Sequence, residues 1–164
     1  MRALYPGSFD PITYGHLDIL ERASYMFEKV YITVAVNREK KFVFDVDERL
    51  ELIAECLKDK PWAKNVEATQ FTGLLVNHAK DLGVKTLIRG VRQLSDFEYE
   101  FRMALMNRKL GDDIDTVFLM PRGELTFVSA TLVREVAYWD GELTAFVPDN
   151  VAQALRKKYK QIRK

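Results

Sequence analysis

Cysteine is nearly absent from this sequence, and its charges almost cancel. Among 164 residues there is one cysteine, Cys56, which excludes an intrachain disulfide and suggests a reducing compartment, the cytoplasm. The 25 lysines and arginines against 24 aspartates and glutamates leave a net charge of +1, too small for general attraction to nucleic acid or membranes. Apolar runs are strand-sized and too short to span a bilayer. We therefore expect a soluble cytoplasmic protein with neither nucleic acid nor membrane as a partner.

Glycine and proline are also few, with 8 and 5 residues, and no linker rich in them divides the chain. No internal repeat is visible. A chain of this length can bury a core of its own as one ordinary domain. We therefore expect residues 1–164 to form a single domain.

What the sequence does contain is an alternation of short apolar runs with amphipathic segments. The apolar runs predict five strands, at residues 3–5, 30–36, 66–71, 86–89 and 116–120. This alternation implies an α/β fold, a Rossmann-like open parallel five-stranded sheet with helices on both faces. Ligands of such sheets bind outside the carboxyl ends of the strands, where the winding reverses.

Helix signals lie between the predicted strands. Asp45 and Glu48 predict a capping box for the second helix, and Ser95 and Glu98 predict one for the fourth. Apolar residues at helical spacing follow each box. Those of the second helix, which we expect to be buried, are Leu50, Ile53, Ala54 and Leu57, and those of the fourth are Phe97, Phe101, Ala104 and Leu105.

The segment after the first strand combines a turn with a helix start. Gly7 suits a tight turn, and His16 falls at the beginning of the first helix, where free N–H groups and the helix dipole favour anions. An imidazole there could donate to a phosphate oxygen. A histidine at a helix start can equally be a surface residue or a satisfied cap. The other histidine, His78, lies within a predicted helix and is interpreted as structural.

Cationic and hydroxyl groups follow three other strands. Arg89 ends an apolar strand, an unusual place for a guanidinium unless an anion binds there. Ser129 and Thr131 open a helix, either as caps or as phosphate contacts, and Lys40 lies on a loop. Neither G-x-G-x-x-G nor G-x-x-x-x-G-K-[ST] is present, which disfavours dinucleotide dehydrogenases and Walker-type kinases. Together these features predict a polyphosphate ligand at one edge of the sheet.

Two short segments resemble the signatures of the nucleotidylyltransferase superfamily. Thr13-Tyr14-Gly15-His16 resembles its (H/T)-x-G-H motif, and the segment from Ser129 to Arg134 is similar to its second signature. The segments YPGSFDPITYGH, LIRGVRQLSDFEYEFRMALMNR and VFLMP resemble those of bacterial phosphopantetheine adenylyltransferases. The resemblance extends over essentially the whole chain and implies a fold of the nucleotidylyltransferase type.

This resemblance implies an enzyme of coenzyme A biosynthesis that reversibly transfers AMP from ATP to 4′-phosphopantetheine, giving dephospho-CoA and pyrophosphate. His16 would stabilise the transition state. The residues implied for ATP are Ser8, Phe9, His16, Gly90, Val91, Arg92, Tyr99, Glu100, Leu125, Thr126, Phe127, Val128, Ser129, Ala130 and Thr131. Those implied for phosphopantetheine are Ser8, Lys40, Leu75 and Arg89.

The resemblance also implies Mg²⁺ bound with ATP, no separate protein metal site, a homohexamer, and inhibition by CoA. Two alternatives remain open at the level of the sequence. One is a sister nucleotidylyltransferase with another phosphorylated acceptor, such as nicotinate mononucleotide. The other is a nucleotide-binding module without catalytic activity.

Overall fold

The computed structural model describes residues 1–37, 39–111 and 113–163, in which strands and helices alternate. The strands are β1 (Arg2–Gly7), β2 (Lys29–Ala35), β3 (Val66–Phe71), β4 (Thr86–Gly90) and β5 (Asp115–Leu119). The α-helices are α1 (Tyr14–Met26), α2 (Val46–Leu57), α3 (Leu75–Asp81), α4 (Leu94–Leu110), α5 (Ala130–Tyr138) and α6 (Asp149–Ile162). Short 3₁₀ segments lie at Pro61–Asn65 and Gly123–Leu125. Within these ranges, no helix is long and apolar enough to cross a membrane.

The five strands form one parallel sheet in the order β3-β2-β1-β4-β5. The predicted open, five-stranded parallel sheet is therefore confirmed. The order reverses between β1 and β4, which pair through Leu4 and Leu87 in the centre of the sheet. In sheets of this kind a crevice opens at the carboxyl ends of the two strands that flank the reversal.

Helices cover both faces of the sheet, because alternate residues of each strand point to opposite sides. Ala3 and Tyr5 of β1 belong to the larger apolar cluster, which includes Leu20 of α1 and Leu155 of α6. Leu4, between them in sequence, belongs to a second cluster with Val76 and Ala79 of α3. The central strand is thus buried on both faces, as the continuous apolar runs predicted.

The start of α2 follows the prediction, but its buried face does not. Asp45 accepts from the Glu48 N–H and Glu48 accepts from the Asp45 N–H, so the capping box is present. Of the four residues expected to be buried, Ile53 is buried, Leu50 and Leu57 are half-buried against the core, and Ala54 is exposed. Arg49 is buried as well. The apolar pattern missed this face because Arg49, a charged residue, occupies part of it.

Helix α4 differs from its prediction in capping, and much of its apolar surface is exposed. It begins at Leu94 with Gln93 as a cap that makes no side-chain hydrogen bond, so the predicted box of Ser95 and Glu98 is wrong. Ser95 lies inside the first turn, because the helix starts before it. Large apolar side chains of this helix are exposed: Leu94, Phe97, Phe101, Leu105, Met106 and Leu110. An apolar face of this extent indicates a contact surface for another molecule.

Candidate active site

A cleft of about 470 Å³ opens at the carboxyl edge of the sheet. Its walls come from the turn after β1, the start of α1, the loop before α2, the end of β4 and the start of α5. The crevice rule applied to the sequence predicted this place. The predicted residues that line the cleft are Ser8, Phe9, His16, Lys40, Arg89, Gly90, Arg92, Val128, Ser129, Ala130 and Thr131.

His16 lies at the third position of α1, held by the residue that caps this helix. The Thr13 N–H donates to His16 Nδ1 at 3.1 Å, and the Thr13 hydroxyl lies 3.1 Å from the same nitrogen. A backbone N–H can only donate, so Nδ1 is the acceptor and carries no proton. In a neutral ring the proton then sits on Nε2. The geometry leaves Nε2–H available as a donor in the cleft.

Burial, with a smaller contribution from the positive charges of Arg92 and Arg89, lowers the pKa of His16 to about 4. The imidazole is therefore neutral at pH 7. The sequence suggested that His16 could donate to a phosphate. In the structure, this donor is a neutral N–H group at the start of a helix, in a cationic cleft.

Phe9 holds an unusual backbone conformation next to this histidine. Its φ of 46° lies in the left-handed region, rare for a bulky residue and frequent at functional sites. Its buried ring packs edge-on between Tyr5 and His16, with centroid distances of 5.4 and 5.1 Å. A Cβ on Gly7 would lie 2.8 Å from Phe9 Cζ. Gly7 therefore makes room for this ring, and in this turn the positive φ occurs at Phe9.

Arg89, at the end of β4, is fixed by three hydrogen bonds. Its Nε and one terminal nitrogen donate to the Glu100 carboxylate at 2.6 Å each, and the other terminal nitrogen donates to the Pro6 carbonyl at 2.9 Å. A guanidinium has five N–H groups, so two remain for a ligand. The bidentate pair with Glu100 raises the pKa of Arg89 against the opposing effect of burial. Arg89 is thus a preorganised cation beside His16.

Gly90, which follows Arg89, allows α1 to pack closely against the end of β4. A Cβ at this position would lie 2.6 Å from Ile19 Cδ1, which is too short for a contact between two carbon atoms. Arg92 then links the segment after β4 to two neighbours: its Nε donates to Asp96 of α4 at 3.1 Å, and a terminal nitrogen donates at 3.3 Å to the carbonyl of Val128, which lines the cleft.

The loop that carries Lys40 is docked by two buried charged residues. Asp10, 2% exposed, accepts from the backbone N–H groups of Val43 and Phe44, both at 2.9 Å. Arg49, also 2% exposed, donates to the Ser8 carbonyl at 2.7 Å. Charged side chains are rarely buried to this degree without such partners. The turn after β1 and the Lys40 loop are therefore joined into one structure.

The last wall is the start of α5. Ser129 caps this helix as predicted, its hydroxyl accepting from the Leu132 N–H at 3.1 Å. Arg134, one turn further on, donates to the Asp10 carbonyl and to the Thr131 hydroxyl. The helix start thus faces the cleft, and Arg134 ties it to the turn after β1.

Comparison with known proteins identifies the family. The sequence matches the cytidylyltransferase-like family over residues 4–136. A phosphopantetheine adenylyltransferase of Caldanaerobacter subterraneus subsp. tengcongensis is 47% identical over 159 residues, which cover 97% of this chain and 98% of that protein. The chain belongs to the phosphopantetheine adenylyltransferase family. The resemblance found in its sequence motifs is therefore confirmed.

Solved structures support the fold assignment. Nicotinic acid mononucleotide adenylyltransferase of Plasmodium falciparum, complexed with NaAD, matches with a TM-score of 0.72 at 13% identity, over 97% of each chain. A Vibrio parahaemolyticus protein assigned as a nicotinate-nucleotide adenylyltransferase gives 0.72 at 17% identity, over 96% of this chain and 94% of that one. At these identities the likeness concerns the fold alone, which is of the nucleotidylyltransferase type.

Some residues that the phosphopantetheine adenylyltransferase family implies lie outside the cleft lining in this structure. They are Leu75, Val91, Tyr99, Glu100, Leu125, Thr126 and Phe127. Glu100 contacts Arg89 instead, and the others remain predictions. Tyr5, Asp10 and Arg134 lie within the quoted motifs but were given no role, and Arg49 lies outside every motif. Burial of a charged or polar group is not visible in local sequence, so no role was assigned to these four residues.

The cleft offers no free carboxylate cluster to a resident metal ion. Within residues 1–37, 39–111 and 113–163, no three His, Cys, Asp or Glu side chains are grouped to hold one. Asp10, the aspartate of the cleft lining, is committed to two backbone N–H groups.

Proposed function

We propose that this protein transfers AMP from ATP to 4′-phosphopantetheine in coenzyme A biosynthesis. Membership of the family, through a relative 47% identical over nearly its full length, supports this assignment. The single structural observation that carries it is the neutral His16, held by Thr13 in a cleft with Arg89 and Arg92. That arrangement suits a reaction in which negative charge grows on a phosphate.

In the proposed reaction, an oxygen of the phosphopantetheine phosphate attacks the α-phosphorus of ATP. A new P–O bond forms, the bond between the α-phosphorus and the oxygen bridging to the β-phosphate breaks, and pyrophosphate leaves. The second pKa of a phosphate monoester is ~6, so the nucleophile is mostly dianionic at neutral pH. It has no proton to lose, and the mechanism requires no general base.

The contribution of the protein is then positioning and charge stabilisation. The Nε2–H of His16 would donate to an oxygen of the reacting α-phosphate, where charge rises in the transition state. The pKa of about 4 makes the ring neutral at pH 7, with one proton on Nε2. Neutral imidazole is a very weak acid, so His16 donates this hydrogen bond without giving up the proton.

Arg89, on β4, and Arg92, on the loop after it, would each bind a different substrate. We assign the two free N–H groups of Arg89, together with Lys40, to the phosphopantetheine phosphate. Arg92, which contacts the wall formed by Val128, would hold the ATP phosphates with the start of α5. Both substrates are anionic, so clustering these cations also offsets the repulsion between them.

The same proposal includes Mg²⁺, CoA and the cytoplasm. Mg²⁺ would neutralise part of the triphosphate charge as MgATP. CoA has the pantetheine arm and adenosine of the product dephospho-CoA, so it should compete for the same cleft as an inhibitor. The buried free thiol of Cys56 is compatible with the reducing cytoplasm, where we locate the enzyme.

We also propose a homo-oligomer, with six copies as the family resemblance implies. The support in this structure is the exposed apolar face of α4, which includes Leu94 at 86% exposure and Leu105 at 51%. A second copy of the chain, presenting the same helix, would cover it.

The experiment that tests the activity measures pyrophosphate release from MgATP with 4′-phosphopantetheine, followed by mass analysis of the product. We expect release to require phosphopantetheine and dephospho-CoA to form. Nicotinate mononucleotide is the comparison acceptor, because the fold is shared with adenylyltransferases that use it. Turnover with that acceptor alone would reassign the substrate, and ATP binding without any turnover would favour a regulatory module.

A further inference from the structure

The Tyr5 side chain is a buried component of the cleft for which neither the motifs nor the proposed mechanism provides a role. Tyr5 lies in β1, is 4% exposed and lines the cleft. Its ring packs edge-on against Phe9, with the ring centroids 5.4 Å apart. Tyr5 is thus the first member of the aromatic row that continues through Phe9 to His16.

The Tyr5 hydroxyl is hydrogen-bonded to no protein group within the part of the chain that the structure describes. Some side-chain atoms in that part of the chain are shielded from solvent and lack a hydrogen-bond partner, but the Tyr5 oxygen is not one of them. An oxygen that is neither bonded nor sealed off faces the space of the cleft. Buried hydroxyls almost always have a partner, because burying one without it is costly.

The surroundings of this oxygen indicate an anionic partner. Tyr5 Oη lies 3.6 Å from the position that a Cβ would take on Gly90, between Arg89 and Arg92 in sequence. Burial raises the pKa of Tyr5, Arg89 and Arg92 oppose that rise, and the carboxylates of Glu100 and Asp18 add to it. The hydroxyl therefore keeps its proton at neutral pH and is a donor near two arginines.

We propose that the Tyr5 hydroxyl donates a hydrogen bond to a phosphate oxygen of the ligand bound in this cleft. Tyr5 thereby becomes a binding residue next to Arg89 and Arg92, at the base of the cleft where the sheet order reverses. The inference rests on the proposed function only in that both substrates are phosphates.

Calorimetric titration of MgATP, and separately of 4′-phosphopantetheine, into the Tyr5→Phe variant tests this proposal. The substitution removes one oxygen and keeps the ring against Phe9, so we expect an unchanged melting temperature. A hydrogen bond to a charged oxygen predicts a Kd increase of roughly tenfold for at least one ligand. Kd values for both ligands within twofold of the unsubstituted protein would overturn it.

The matched control is Tyr159→Phe. Tyr159 is also buried, at 7% exposure, but it lies in α6 and outside the cleft lining. We expect it to leave both Kd values unchanged, and an equal loss in this control would overturn a specific role for Tyr5. Binding is measured here without turnover. Failure of the proposed function would show separately, as an unsubstituted protein that binds MgATP but forms no dephospho-CoA.

Discussion

The Thr13 N–H donates to His16 Nδ1 at 3.1 Å, and this hydrogen bond determines which nitrogen of the ring carries the proton. It belongs to a capping box in which the Thr13 hydroxyl in turn accepts from the His16 N–H. Helix capping and preparation of the donor are therefore performed by the same two residues. His16 is structurally satisfied and chemically available at once, so the two interpretations that the sequence left open are compatible.

The first prediction concerns the protonation of His16. Its pKa is lowered from 6.5 to about 4, which ¹H–¹³C NMR of the imidazole can measure directly. Between these values the unfolded chain binds the additional proton and the folded chain does not. The contribution of His16 to the free energy of unfolding is therefore fully present above pH 6.5 and is lost as the pH falls toward 4. His78→Gln leaves His16 as the single histidine and simplifies the spectrum. Titration near 6.5 would contradict a neutral donor.

The second prediction separates the role of His16 from ground-state binding. His16→Ala should reduce kcat by ~10²–10³-fold, the usual effect of removing one preorganised donor to a transition state. The Kd of MgATP should change far less, because the arginines remain. Stopped-assay kinetics and calorimetry on the same preparation give both quantities. Equal losses of affinity and turnover would mean that His16 binds substrate and transition state alike.

Much of this architecture could be predicted from the sequence because its signals are local. Apolar runs indicated the strands, and Asp45 with Glu48 indicated a helix start. Groups at or beyond the carboxyl ends of strands, such as Arg89 and Ser129, were predicted to meet because parallel strands end at one edge. Motif resemblance added the roles that spacing cannot provide.

The remaining features depend on contacts between distant parts of the chain. Arg49 is buried because the Ser8 carbonyl, 41 residues away, accepts from it. In the sequence, Tyr5 belongs to an apolar run typical of a buried strand. Only the folded structure shows that its side chain lines the cleft. On α4, helical spacing indicated an apolar face correctly but could not tell whether this chain or another one covers it.

The third prediction tests Arg89 through its geometry. Arg89→Lys preserves the charge but cannot reproduce the bidentate pair with Glu100 together with the bond to Pro6. We expect the KM for phosphopantetheine to rise at least roughly tenfold and the KM for MgATP to change little. Initial-rate kinetics with each substrate varied in turn measures both. An unchanged KM for phosphopantetheine would remove Arg89 from that site.

The fourth prediction concerns assembly. Leu105→Glu places a charge on the exposed apolar face of α4 and should dissociate the oligomer, because an unpaired carboxylate would be buried at the contact. Sedimentation velocity of the unsubstituted protein and of the Leu105→Glu variant measures the change in oligomeric state. Ile162→Glu, at an exposed apolar position of α6, is the control and should keep the assembly intact. Identical sedimentation of all three proteins would direct attention to a different surface.

The last prediction follows from the carboxylate that docks the Lys40 loop. Asp10→Asn retains the size of the side chain but offers one oxygen where two backbone N–H groups, of Val43 and Phe44, need acceptors. One N–H would then face an amide NH₂ group in a buried place. We expect a loss of ~1–3 kcal/mol in the free energy of unfolding, measured by urea denaturation.

The same substitution should affect the two substrates unequally. Lys40 lies on the loop released from Asp10, whereas Arg92 and the start of α5 are held by contacts of their own. The KM for phosphopantetheine should therefore rise more than the KM for MgATP. Asp81→Asn, an exposed aspartate of α3, controls for loss of charge and should leave stability and both KM values unchanged. If Asp10→Asn lowered stability but raised both KM values equally, Asp10 would support the cleft as a whole rather than the position of Lys40.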